Sequence, residues 1–253
     1  MAQTTIQNVN HGVGRIGGAG NQGIYEESST AKHNLGEKLE LSDGRIFRYA
    51  SFAAATGAGL LVSQDVSATA IVATDGKLTA ASAGATEVTY TDSSTVGSAT
   101  KDQYAGGYLH IEDDAGEGYC YRIKSNTAAS SNAVTFTLYD ALQVAVTTAT
   151  DVAVTGNPYS QVRAAVGTAD YIVAGVTPIA FTVNYYGWIQ TRGVSTVLNV
   201  GGAGIGETLM LGDATEGATE LWDSDQAEMH PAVGFALYAT TGGAYGGVML
   251  QLD

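Results

Sequence analysis

Charge is scarce in this chain: 14% of its 253 residues are Asp, Glu, Lys or Arg, against roughly 25% in ordinary soluble domains. What charge there is runs one way, with 25 acidic residues against 11 basic ones and a formal net charge of −14. That balance repels a phosphate backbone, so it argues against nucleic acid as a partner. One cysteine, Cys120, excludes an intramolecular disulfide. Its alternating neighbours Tyr119, Tyr121, Arg122 and Ile123 make it a small packed side chain in a strand. No apolar run reaches the ~18 residues of a membrane-spanning helix. The opening residues Met1 to Thr5 offer neither the basic nor the apolar region of a signal peptide. The expectation is a protein made in a cytoplasm that stays soluble or joins an assembly there, with no membrane partner.

Helical spacing is missing as well, since apolar residues nowhere recur at i, i+3 and i+4 over the ~12 residues a stable helix wants. Gly, with 33 copies, and small polar residues instead divide the chain into short alternating runs, the mark of an all-β fold of antiparallel barrel or sandwich modules. Residues 1–44 show neither period and carry a Gly-rich run from Gly12 to Gly20, which reads as an extended N-terminal arm. Regular structure is expected from Asp43-Gly44 onward, with Asp75-Gly76 as a later turn. Within 85–164 the expected strands are Glu87–Thr91, Tyr108–Glu112, Tyr119–Lys124, Val134–Tyr139 and Thr150–Thr155. The C-terminal section offers Tyr171–Val173, Ile179–Val183, Trp188–Thr191, Thr196–Val200, Thr208–Leu211, Val233–Tyr238 and Gly247–Leu252. Because about 40 residues of short strands are too few for a core of their own, residues 45–84 are expected to join 165–253 in a main β-domain, with 85–164 inserted as a small β-domain.

Constellations for chemistry are lacking too. His11, His33, His110 and His230 stand in unrelated contexts without metal-ligand spacing. The acidic stretch Glu112–Glu117 lacks the ligand alternation of an EF-hand and reads as a solvated turn. Gly201, Gly204 and Gly206 have the wrong spacing for a dinucleotide loop, and no amphipathic helix follows them to hold a pyrophosphate. No Gly-x-Ser-x-Gly elbow is present. No catalytic, cofactor or metal residue is therefore expected, and the protein reads as a non-enzyme. Tyrosines outnumber phenylalanines 14 to five, a bias that suits strands and half-buried contact surfaces. The densest aromatic patch is Tyr185-Tyr186-Gly187-Trp188, where Tyr186 and Trp188 share a face and the Trp188 face is expected to be core.

The order Tyr185–Gly193, then a Val/Leu strand, Gly206-Glu207, and Ala232–Leu237 before a terminal apolar strand resembles virion structural proteins of tailed phages that decorate the capsid. The pieces Gly106–Leu109, Gly116–Asn126, Thr135–Leu142 and Asn157–Tyr159 resemble a small β-module that recurs in such proteins. The resemblance implies a homo-oligomeric capsid decoration (cement) protein on the virion surface, whose partners are the major capsid protein and further copies of itself, commonly as trimers. In that setting the arm becomes a tether that adds a strand to an exposed sheet edge, with Arg15, Ile16, Ile24 and Tyr25 as candidate contact residues. The missing spine helix sets the chain apart from a major shell subunit. The alternative is a tail or fibre component that displays a carbohydrate- or receptor-binding β-module.

Overall fold

The computed structural model describes residues 22–64, 72–91, 99–165, 172–222 and 232–253. Among them there is no helix. Sixteen strands follow one another: β1 (Lys38–Glu40), β2 (Ile46–Ser51), β3 (Leu61–Gln64), β4 (Val72–Leu78), β5 (Glu87–Thr91), β6 (Tyr108–Asp113), β7 (Cys120–Asn126), β8 (Ala133–Leu138), β9 (Asp151–Thr155), β10 (Val162–Ala164), β11 (Val173–Val176), β12 (Tyr186–Asn199), β13 (Thr208–Leu211), β14 (Thr219–Leu221), β15 (Ala232–Ala236) and β16 (Ala244–Gln251). The protein is all-β, and its strands fall into two compact units, Val66–Asn157 and Met1–Asp65 with Pro158–Asp253.

The Val66–Asn157 unit is a closed six-stranded barrel in the order β4-β5-β8-β7-β6-β9. Period-2 alternation builds it: in β8 Val134, Phe136 and Leu138 are buried while Ala133, Thr135 and Thr137 are half-buried. Inward residues of the other strands, among them Leu109, Ile111, Ile123, Val152 and Val154, complete one core. Tyr90 and Tyr104 meet Phe136 edge-on with centroids 6.2 and 5.7 Å apart, the geometry that aromatic quadrupoles favour. The buried Asn126 side chain accepts from the Tyr104 amide at 2.8 Å and donates to the Thr100 and Thr127 carbonyls, so its polarity is satisfied inside the core.

The domain limits differ from those read in the sequence. The segment 45–84 does not stay together, because β4 pairs with β5 and β9 inside the closed barrel. Asp75-Gly76 is not a turn. It lies within β4 at a shift in register between Ala73 and Gly76, and any Cβ at Gly76 would run into the Tyr90 ring. The glycine therefore marks a close approach inside a strand. At the other limit, β10 pairs with β3, which places residues 158–164 in the larger unit.

The larger unit is organised by β12. Its first half pairs with β2 from Tyr186↔Ser51 to Arg192↔Ile46, and its second half pairs with β16 from Arg192↔Gln251 to Asn199↔Ala244. The two strands expected around Arg192-Gly193 are thus one, bent by a bulge between Gln190 and Arg192, with Gly193 at φ 86°. Pairings β12–β14, β14–β13, β13–β15, β15–β16 and β16–β12 return to their starting strand. They enclose Val197, Leu209, Leu211, Val233, Val248 and Leu250. Ile179–Val183 is not a strand; only Phe181 makes a β-bridge there, to Thr56.

Residues 22–44 do not form a free extended arm. β1 pairs with β2, and the segment before it lies over a second small core of Leu39, Leu41, Phe47, Tyr49 and Trp188. Gln22 is the anchor. Its side-chain nitrogen donates to the Glu26 and Tyr186 carbonyls at 2.7 and 2.8 Å, its side-chain oxygen accepts from the Tyr49 hydroxyl at 2.6 Å, and its backbone carbonyl accepts from the Trp188 indole at 2.9 Å. His33 packs against the rings of Tyr49 and Trp188. Trp188 is buried, as the alternation of its strand leads one to expect.

Candidate interaction surface

The register of β12, β16, β15 and β13 lines up one outward row of side chains. Val194 stands opposite Met249, Met249 opposite Phe235, and Phe235 opposite Thr208. The Trp222 amide donates to the Thr208 carbonyl at 2.9 Å and extends the row by one residue. In the adjacent row Thr196 faces Gly247, and the Tyr238 ring rests on that glycine, where a Cβ would lie 2.6 Å from a ring carbon. Tyr245 then stands opposite Leu198.

The row is exposed and uncharged. Val194, Trp222 and Phe235 keep 52%, 48% and 37% of their surface open to solvent, while Met249 is half-buried. Five of the twelve large apolar side chains exposed among the described residues, Val194, Trp222, Phe235, Tyr238 and Tyr245, lie on this face. Scattered apolar residues are ordinary on a protein surface, whereas a contiguous patch marks a place of contact. Aromatic residues and Met without charge are the composition of the centre of a protein–protein interface. The Arg192–Gln251 pair provides a polar border.

Beyond Val194 and Tyr245 the surface dips into a depression of about 410 Å³, whose walls include Tyr25, Arg45, Pro178, Gln190 and Thr196. Gly59 adopts φ 68°, and the edge of the Tyr245 ring lies where its Cβ would be, 2.8 Å away. A residue with a side chain would both strain this backbone and displace the tyrosine. The Arg45 guanidinium is held by Asp43 at 2.7 Å. Burial disfavours the Arg45 charge, but Asp43 and the Tyr25 hydroxyl outweigh it and raise its pKa. The Gln190 side-chain nitrogen donates to the Arg192 and Val194 carbonyls at 2.9 Å each, which fixes the amide and leaves Oε1 as its remaining hydrogen-bonding group.

The candidates from the sequence fall in different places. Arg15 and Ile16 lie outside the described residues. Ile24 packs half-buried against the core around Trp188, and Tyr25 is exposed on the wall of the depression. Of the histidines, His11 and His230 lie outside the described residues; His33 meets Glu37 at 3.0 Å and His110 meets Thr155 at 3.0 Å. No group of three or more His, Cys, Asp or Glu side chains converges among the described residues. Cys120 lies on β7 opposite His110, but it is exposed rather than packed, and partial desolvation pushes its thiol pKa up. In the acidic turn, Asp114 accepts from the Thr147 hydroxyl at 2.7 Å, a bond that lowers its pKa. The outward row escaped sequence reading because β15 and β16 carry apolar residues on both faces, so period 2 does not mark which ones point out.

Comparisons with protein-family models, with curated proteins and with solved structures find no match.

Proposed function

We propose that this chain is a non-enzymatic structural subunit of a phage virion, a decoration or cement protein that binds the outside of the head and reinforces the shell. Its partners are the major capsid protein and further copies of itself, as a trimer. The observation that carries this reading is the uncharged row Val194–Met249–Phe235–Thr208–Trp222, displayed on paired strands and therefore rigid. The phage context comes from the sequence resemblance.

Burying each half-exposed apolar side chain of the row contributes on the order of 1 kcal/mol, a sum reduced by the cost of association. One subunit is thus held weakly at each contact. A subunit that spans several shell proteins gains from effective concentration, because rupture of the shell must then break several contacts together. Quantitative mass spectrometry of purified virions tests the assignment. A decoration subunit is present in hundreds of copies and lies outside the shell, open to surface labelling. A count in the tens, or protection from surface labels, contradicts it and favours a tail or fibre component.

A further inference from the structure

We infer that the depression between Tyr25 and Tyr245 is a binding site for a neutral saccharide. Among the described residues its one charged wall residue, Arg45, is already neutralised by Asp43 at 2.7 Å, and no carboxylate lines it. Neither an anion nor a cation therefore finds an uncompensated partner there, and the chain's formal charge of −14 further disfavours anions. What remains is neutral, hydrogen-bonding and partly apolar. Ser195 and Thr196 are hydroxyl-bearing wall residues, and the buried Gln190 on the same wall keeps Oε1 as an acceptor, its amide fixed by two hydrogen bonds from its own nitrogen. Such groups complement a ligand that both donates and accepts.

The apolar part of the wall is aromatic. Tyr245 is braced against Gly59 and remains half-exposed, and Tyr25 flanks the same space. A pyranose ring has an apolar C–H face that packs on an aromatic ring and a rim of hydroxyls for the polar groups around it. The volume of about 410 Å³ lies within the range of roughly 300–1,000 Å³ of small-ligand sites. A proline-rich peptide also uses tyrosines, but it needs an apolar groove for its repeating turns, and here hydrogen-bonding side chains share the wall.

Saturation-transfer NMR on the full chain with maltose, cellobiose, lactose and chitobiose tests the site, with 3′-sialyllactose and a proline-rich decapeptide as the anionic and peptide arms. At least one neutral disaccharide is expected to receive saturation. Its affinity should fall tenfold or more in Tyr245→Ala and persist in Tyr245→Phe, both melting within a few degrees of the wild type. The inference is overturned if no neutral disaccharide binds, if Tyr245→Ala binds one unchanged, or if only sialyllactose or the peptide binds. Shell binding is assayed separately through Phe235 and Trp222, which do not line the depression.

Discussion

The indole nitrogen of Trp188 donates to the backbone carbonyl of Gln22 across 166 positions of sequence, at 2.9 Å. The largest buried side chain of the protein is therefore sealed by the segment that precedes the first strand, and the stability of the larger unit depends on both.

Replacing Trp188 should reveal this dependence. Trp188→Ala leaves a cavity among Leu39, Phe47 and Tyr49 and should cost about 3–5 kcal/mol. Trp188→Phe keeps most of the packing but leaves the Gln22 carbonyl without its donor, a loss of about 1–3 kcal/mol. Denaturant unfolding of the two variants should rank them in that order, and near-equal stabilities would show that the cavity is not what matters.

Truncation should separate the two parts of the N-terminal region. A chain starting at Gln22 keeps Gln22, His33 and β1 and should melt close to the full chain. A chain starting at residue 41 loses all three, uncovers Trp188, and should melt lower by several degrees with increased Trp fluorescence quenching by acrylamide. If the shorter chain melts like the longer one, residues 22–40 do not seal the core. If the chain from Gln22 also loses shell binding, residues such as Arg15 and Ile16 act as the tether.

Acid should loosen the link between β2 and Asp253. Arg48 forms two hydrogen bonds with the Asp253 carboxylate, both at 2.8 Å, and Arg48 is the main cause that lowers the Asp253 pKa. A depressed carboxylate contributes stability above its ordinary pKa of about 3.9 and loses it as pH falls through the folded value. Asp253→Asn should therefore melt below the wild type at pH 7, and the gap should close as pH falls below 4. A gap independent of pH would assign the effect to packing instead of charge.

Local sequence carried the strands and not the surface. Glu87–Thr91 is legible to the residue because buried and exposed side chains alternate there, and Thr208–Leu211 because it is a short apolar run between Gly206-Glu207 and Gly212-Asp213. β1 and β14, three residues each, are too short to show a period, and they exist because β2 and β13 offer them partners. Gly76 and Gly193 read as breaks, yet one sits under Tyr90 and the other in a bent but continuous β12. The row from Val194 to Trp222 depends on register among strands far apart in the chain, so no window of sequence contains it.

Cosedimentation with heads assembled from the major capsid protein alone tests the central claim most directly. Phe235→Asp and Trp222→Asp place a charge in the outward row at positions outside the buried core cluster, so both variants should melt within a few degrees of the wild type and fail to pellet with heads at concentrations that saturate the wild type. Wild-type binding by both charged variants would contradict the account, because the row would then lie outside the contact with the shell.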